Sequence, residues 1–180
     1  MDFAKDGDLV YISHLDFQRL IQRVVRRACL PALYSEGFSP HMKISFPYAL
    51  PLFLAVSSER FALELTEQID DALLIDKLNS QAPKGLVFLA AKKTDTRSFQ
   101  LQEDCSYLLE IKESEALLWR DAVTGILAVP GPESEKIKDF SLEGRFLRLN
   151  TRSPFNPMKF AATVSSRLNT TLYLGEIRKT

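Results

Sequence analysis

The stretch from Leu9 to Pro31 reads LVYISHLDFQRLIQRVVRRACLP. Its first four residues are apolar and β-prone; Ser13 then offers a helix cap, and Asp16 three positions later completes a capping-box pattern. Beyond the cap, Leu20, Ile21, Val24, Val25 and Ala28 recur at helical spacing until Pro31 stops the run. A strand leading directly into an amphipathic helix is the expected unit. Working outward, MKISFPYALP and SERFALELTE read as extended neighbours, the second alternating Phe61, Leu63 and Leu65 against Ala62, Glu64 and Thr66. IDDALLIDKLNSQAP sets Leu73, Leu74 and Leu78 at helical spacing ahead of Pro83 and Gly85, and GLVFLAAKK reads as a short buried strand. The first half is therefore βαββαβ.

The second half runs in the same order without a visible sequence repeat. SYLLEIK is a strand, SEALLWRDAVTGILAV a helix capped by Ser114, PGPESEK a polar break, and KDFSLEG and RFLRLNT two further strands. NPMKFAATVSSRLN carries Asn156 as cap, Pro157 at the first helical position and Phe160, Val164 and Leu168 along one face; TLYLGEIR closes as a strand. The expected fold class is α+β, two tandem ferredoxin-like (βαββαβ) modules with antiparallel sheets. Residues 1–94 form the first, 103–180 the second, and 95–102, within the polar run KKTDTRSFQLQED, the linker. One continuous α+β domain with a single sheet would use the same elements.

A chain of 180 residues with 46% hydrophobic and 26% charged side chains can bury a core. Its 23 Lys plus Arg balance 23 Asp plus Glu, so any binding to nucleic acid must use a local patch. Cys29 and Cys105 have no Cys or His partner at ligand spacing, so two reduced, buried thiols are expected and no metal site is. P-loop and dinucleotide fingerprints are absent, and no cofactor is called for. No apolar run approaches the roughly 20 residues of a membrane span, and the chain opens on charged residues, so a cytoplasmic location is expected.

The first part of the chain also resembles a known family. Gly7, Ser13, His14, Leu15, Asp16, Tyr34, Ser35, Gly37, Phe38, Pro40, His41, Lys43, Ser45 and Phe46 match a pattern of an S-H-L-D start, a basic helix and a Y-S-x-G-F-x-P-H segment. This pattern is similar to that of the radical SAM-linked protein family, a bacterial domain fused to, or encoded beside, a B12-binding-type radical SAM protein. The likeness covers roughly the first 65 residues, and LPLFLAVSSE is bulkier than the small Gly-containing turn usual there. The chain has no C-x-x-x-C-x-x-C cluster, so the resemblance implies a companion of a radical SAM protein rather than the catalyst.

Arg19, Arg23, Arg26 and Arg27 fall on or near one face of the first helix, opposite the Leu20/Val24 stripe. Guanidinium forks suit phosphate or carboxylate, so this ridge is a candidate docking surface for RNA or an acidic partner; the other reading is a solvated face of paired arginines. His14 stands at the helix start, where backbone N–H groups favour an anion and the dipole favours a neutral imidazole. If the loop carrying Tyr34, Ser35, Gly37, Phe38, His41 and Lys43 folds back, His14 and His41 line one cleft as an acid–base pair. Tyr11, Phe46, Tyr48 and Phe61 are either core rings or sheet-face stacking positions. The leading expectation is an accessory binding module that works with a radical SAM enzyme, holding RNA or a ribosome-related substrate, or docking the enzyme, through the helix and loop. The alternative is a metal-independent ribonuclease using His14 and His41, since the tandem layout is similar to that of CRISPR RNA-processing proteins. A third is a protein-interaction scaffold.

Overall fold

The computed structural model of the chain describes residues 1–94, 99 and 104–180. The expected linker 95–102 lies outside the described residues apart from Phe99. The chain groups into two compact units, Met1–Leu52 with Val56–Gln100 and Phe53–Ala55 with Leu101–Thr180.

The first unit opens with β1 (Asp2–Lys5), whose side chains alternate so that Phe3 and Lys5 are buried. The expected strand over Leu9–Ile12 is instead a short 3-10 turn, Gly7–Tyr11. Turn chemistry overrides β propensity there. The Asp6 carboxylate accepts the Gly7 N–H at 2.7 Å, Gly7 takes φ +59°, and the Asp6 N–H is held by the Gly85 carbonyl at 2.8 Å. Helix α1 (His14–Arg27) starts where the cap predicted, with Ser13 Oγ accepting the Asp16 N–H, and buries Phe17, Ile21, Val24 and Val25.

β2 (Ile44–Ser45) is only two residues long and pairs with β4 (Ala62–Leu63) in a separate ladder. The longer extended pairing expected of MKISFPYALP stops short because Pro47 and Pro51 cannot donate to a ladder. β3 (Leu54–Arg60) lies antiparallel to β1, with Glu59 opposite Phe3. Both Phe61 and Ala62 are buried where the chain passes from β3 into β4, so the expected alternation fails at that step. Helix α2 (Asp71–Gln81) is capped by Asp70 and leads to β5 (Leu86–Ala90), the strand on the other side of β1. The Asn79 side-chain amide bonds both the N–H and the C=O of Phe88, tying α2 to β5. β5 is not a buried strand: Val87 and Leu89 are 48% and 46% exposed, while Leu86 and Phe88 point inward. The core here is aromatic, with Phe3 5.3 Å from Phe17 and 5.8 Å from Phe61, centre to centre.

The second unit contains β6 (Cys105–Glu110), α3 (Ala116–Leu127), β7 (Ile137–Glu143), β8 (Phe146–Thr151), α4 (Pro157–Arg167) and β9 (Ile177–Lys179). Its strands lie in the order β9-β6-β8-β7, with antiparallel ladders throughout. Ser114 is not the cap of α3. It sits inside a 3-10 turn, Glu113–Glu115, and the helix starts without a side-chain cap. Asn156 does cap α4, taking the Met158 and Lys159 N–H groups, and Pro157 follows at the first turn. TLYLGEIR is shorter as a strand than expected: only its end, Ile177–Lys179, pairs. Trp119, Tyr107, Leu109, Leu147, Leu149 and Phe160 are buried in this unit.

Four helices, seven strands in antiparallel ladders and a separate two-strand ladder give an α+β fold among the described residues. The expected pair of complete ferredoxin-like modules goes further than this arrangement. In the first unit only β5, β1 and β3 lie side by side, and β2 pairs elsewhere. The cysteines also part company: Cys105 is buried as expected, but Cys29, at φ +51° just past α1, is exposed.

Candidate functional site

Two places in the first unit gather the residues selected from sequence: the first turn of α1, and the far end of α1 with the loop that follows it.

At the first turn His14 is half-buried, and Nδ1 accepts the Leu50 N–H at 3.2 Å, which puts the neutral ring's proton on Nε2. Gln18 Nε2, itself a donor, lies 3.1 Å from that nitrogen, so Leu50 is the partner that fixes the ring. Phe46 stands edge-on at 5.2 Å between ring centres. Burial, and after it the charge of Lys5, pushes the imidazole pKa below its ordinary value. Sequence had assigned that direction to the helix dipole. Lys5 was missed as a site residue. It is 1% exposed, its ammonium lies 5.5 Å from the Phe17 ring centre, and burial lowers its pKa to about 8. Strand alternation in DFAK, with Phe3 and Lys5 on one face, is the signal that points to it.

The far end of α1 is open to solvent. Arg19, Arg23, Arg26 and Arg27 are all exposed. Arg19 pairs with Asp16 at 3.1 Å and Arg27 donates to the Gln81 carbonyl at 2.7 Å. Arg23 and Arg26 make no ion pair or hydrogen bond among the described residues. The loop from Tyr34 to Met42 is closed by its own backbone: a Tyr34–Met42 bridge, the Ser35 N–H on the His41 carbonyl at 2.8 Å, and the His41 N–H on Ser35 Oγ at 2.9 Å. Gly37 turns the loop at φ +113°, a conformation costly for any residue with a Cβ, and Phe38 next to it is fully exposed. Lys43 pairs with Glu64 at 3.7 Å just beyond.

The segment that follows the loop returns to the start of α1, where Phe46 and Leu50 contact His14. The Leu50 N–H takes the one acceptor nitrogen of the neutral His14 ring, and His41 is exposed. Of the aromatic candidates, Phe61 is buried, Phe46 belongs to the Phe3–Phe17 cluster, Tyr48 donates to the buried Glu59 carboxylate at 2.5 Å, and Tyr11 is exposed. A cleft of about 560 Å³, lined by Met1, residues 62–71, Leu74 and residues 91–94, contains none of the selected residues. Among the described residues no three His, Cys, Asp or Glu side chains gather to hold a metal ion, and no helix is long and apolar enough to cross a membrane.

The fold and this surface define an α+β protein with an exposed arginine-bearing helix and a closed, aromatic-tipped loop. The chain belongs to the family described as "Uncharacterized protein conserved in bacteria (DUF2344)", whose model matches residues 1–175. That description carries no link to radical SAM chemistry. No curated protein matches the chain. Among solved structures, the chain is similar to one in "Crystal structure of the archaeal box H/ACA sRNP Nop10-Cbf5 complex", with 10% identity and a TM-score of 0.49. That match covers 99% of this chain and 46% of the other, so the chain spans less than half of the protein it matches.

Proposed function

We propose that the chain is an accessory binding module that holds single-stranded RNA on the outer face of α1 and the Tyr34–Met42 loop, in the service of a radical SAM enzyme. The observation that carries the RNA reading is the pair Arg23 and Arg26, exposed and unpaired among the described residues in a chain of zero net charge. Exposed arginines without carboxylate partners are free to take phosphates. Phe38 supports the same reading: an aromatic ring held in water on a closed loop loses little freedom when a base stacks on it. The radical SAM partner rests on the sequence pattern of Ser13 to Asp16 and Tyr34 to Phe46 alone. The tandem ferredoxin-like reading belongs with this proposal. The second unit's strand order β9-β6-β8-β7 supports it, as does the β5-β1-β3 order of the first unit. The ribonuclease reading has less support, because the Leu50 N–H occupies the one acceptor nitrogen of the neutral His14 ring, leaving none open for a substrate proton.

The test is fluorescence anisotropy with a labelled single-stranded RNA over a range of salt. Replacing both Arg23 and Arg26 by Ala should flatten the slope of log K against log salt by about 1.4, from two lost phosphate contacts. Phe38→Ala should weaken binding about 5- to 100-fold. Equal affinity and slope in the native chain and these variants would overturn the RNA reading, and recovery of the tagged chain from cells without a radical SAM protein would remove that partner.

A further inference from the structure

β5 is an edge strand: it pairs with β1 on one side, and the β5-β1-β3 order of the first unit leaves its other side without a neighbouring strand among the described residues. Gly85 to Ala91 reads GLVFLAA, with no charge and no proline, between Lys84 and Lys92. Val87 and Leu89 stand exposed along it. An uncharged, β-prone strand at a sheet edge is the kind of segment that pairs with another chain.

That edge is closed from within. The Phe88 N–H donates to Asn79 Oδ1 at 2.8 Å, and Asn79 Nδ2 donates to the Phe88 carbonyl at 2.9 Å. Both backbone groups of Phe88, the middle residue of β5, are therefore turned away from β1 and already held. A residue opposite Phe88 on a neighbouring antiparallel strand would make the same exchange of two bonds. A side-chain amide can copy that exchange because it carries an acceptor and a donor together; a carboxylate, with acceptors only, cannot. Two residues before Phe88, the Leu86 N–H is taken by the Pro83 carbonyl at 3.1 Å. Asn79 is itself held in place, half-buried near the end of α2 and next to the buried Leu78.

We propose that Asn79 is a lock on this edge, its amide occupying the bonds through which β5 would otherwise pair with β5 of a second copy of this chain. A second copy is the fitting occupant because two-fold antiparallel pairing centred on Phe88 sets Val87 of each copy opposite Leu89 of the other, on the same exposed face. The strand carries no charge to oppose that pairing, so Asn79 takes the part that a lysine or a proline plays at other edges.

The experiment is sedimentation velocity of the full chain over a range of concentrations, with amide hydrogen exchange measured at the two extremes. The native chain should not associate through β5, and its Phe88 amide should stay protected throughout. Asn79→Leu keeps a side chain of similar shape but neither bond, and it should self-associate about tenfold or more tightly than the native chain. Its Phe88 amide should exchange quickly when dilute and regain protection when concentrated, as the second copy takes up the two bonds. A merely structural tie between α2 and β5 would loosen Phe88 without that return. Adding Leu89→Lys, on the exposed face, should abolish the association, which separates edge pairing from a general loss of folding. The proposal is overturned if Asn79→Leu does not associate, if its Phe88 exchange is independent of concentration, or if its association survives Leu89→Lys. Native association that Leu89→Lys abolishes would overturn it too. Replacing Arg23 and Arg26 by Ala should change none of these results, so the lock stands or falls apart from the RNA face of α1.

Discussion

Phe17 and Phe38 lie at the two ends of one segment and have opposite surroundings. Phe17, one turn into α1, is sealed among Phe3, Phe46 and the Lys5 ammonium. Phe38 stands alone in water at the tip of a loop whose closure depends on backbone bonds and not on its ring. The folded chain gains from burying the first ring and gains nothing from the second. A large exposed ring with no folding role is the kind of feature that binding uses, whereas the buried ring belongs to the scaffold. Phe17→Ala should therefore destabilise the chain by about 3–5 kcal/mol in urea unfolding. Phe38→Ala should change stability by less than about 0.5 kcal/mol. Similar losses from the two would remove the distinction.

Lys5 carries the next largest effect, with the opposite sign. Its pKa is about 8 in the folded chain against an ordinary 10.5. Between those values the unfolded chain holds a proton that the folded chain has released, so native stability rises with pH across that window and is lost as pH falls through 8. At neutral pH the folded chain thus carries the burden of a buried charge, which Lys5→Met removes while keeping most of the packing. The variant should be more stable by about 2–3 kcal/mol at pH 7, with the gain fading towards pH 10.5. Urea midpoints at pH 7 and at pH 10 check it. A variant less stable than the native chain at pH 7 would mean that Lys5 supports the fold in its charged form.

Much of the element order was legible because helix periodicity and caps are local signals. Ser13 and Asn156 each cap where a side-chain oxygen meets the first helical turn. The failures were equally local in cause. Asp6 and Gly7 turn the chain before Leu9, and the prolines at 47 and 51 cut an extended run to the two residues of β2. Ser114 resembled a cap but fell within a 3-10 turn. The site was less legible because its character depends on distant partners. The arginine face could be read from spacing, but which of its members remain unpaired is decided by Gln81 and Asp16. Lys5 showed only as a charge near the start of the chain. Its burial follows from β1 lying between β3 and β5 under α1.

The two histidines give the finest version of the same contrast. In sequence His14 follows Ser13 and His41 follows Pro40, and nothing local separates a structural ring from an available one. In the fold, Leu50, 36 positions away, donates to His14 Nδ1, and burial lowers the imidazole pKa below its ordinary 6.5. Protonating Nδ1 breaks that bond, so stability present above about pH 6.5 is lost as the pH falls towards the lowered folded value. His14→Ala leaves the Leu50 N–H without its acceptor and should cost about 1–3 kcal/mol at pH 7. The variant should also lose that part of the stability change between pH 7.5 and 5.5. His41→Ala removes an exposed ring from a loop whose bonds to Ser35 are made by backbone atoms of position 41, so its stability should match the native chain within about 0.5 kcal/mol. Urea unfolding of both variants at the two pH values decides the matter: equal costs, or an unchanged pH slope in His14→Ala, would mean that the Leu50 bond does not set the character of His14.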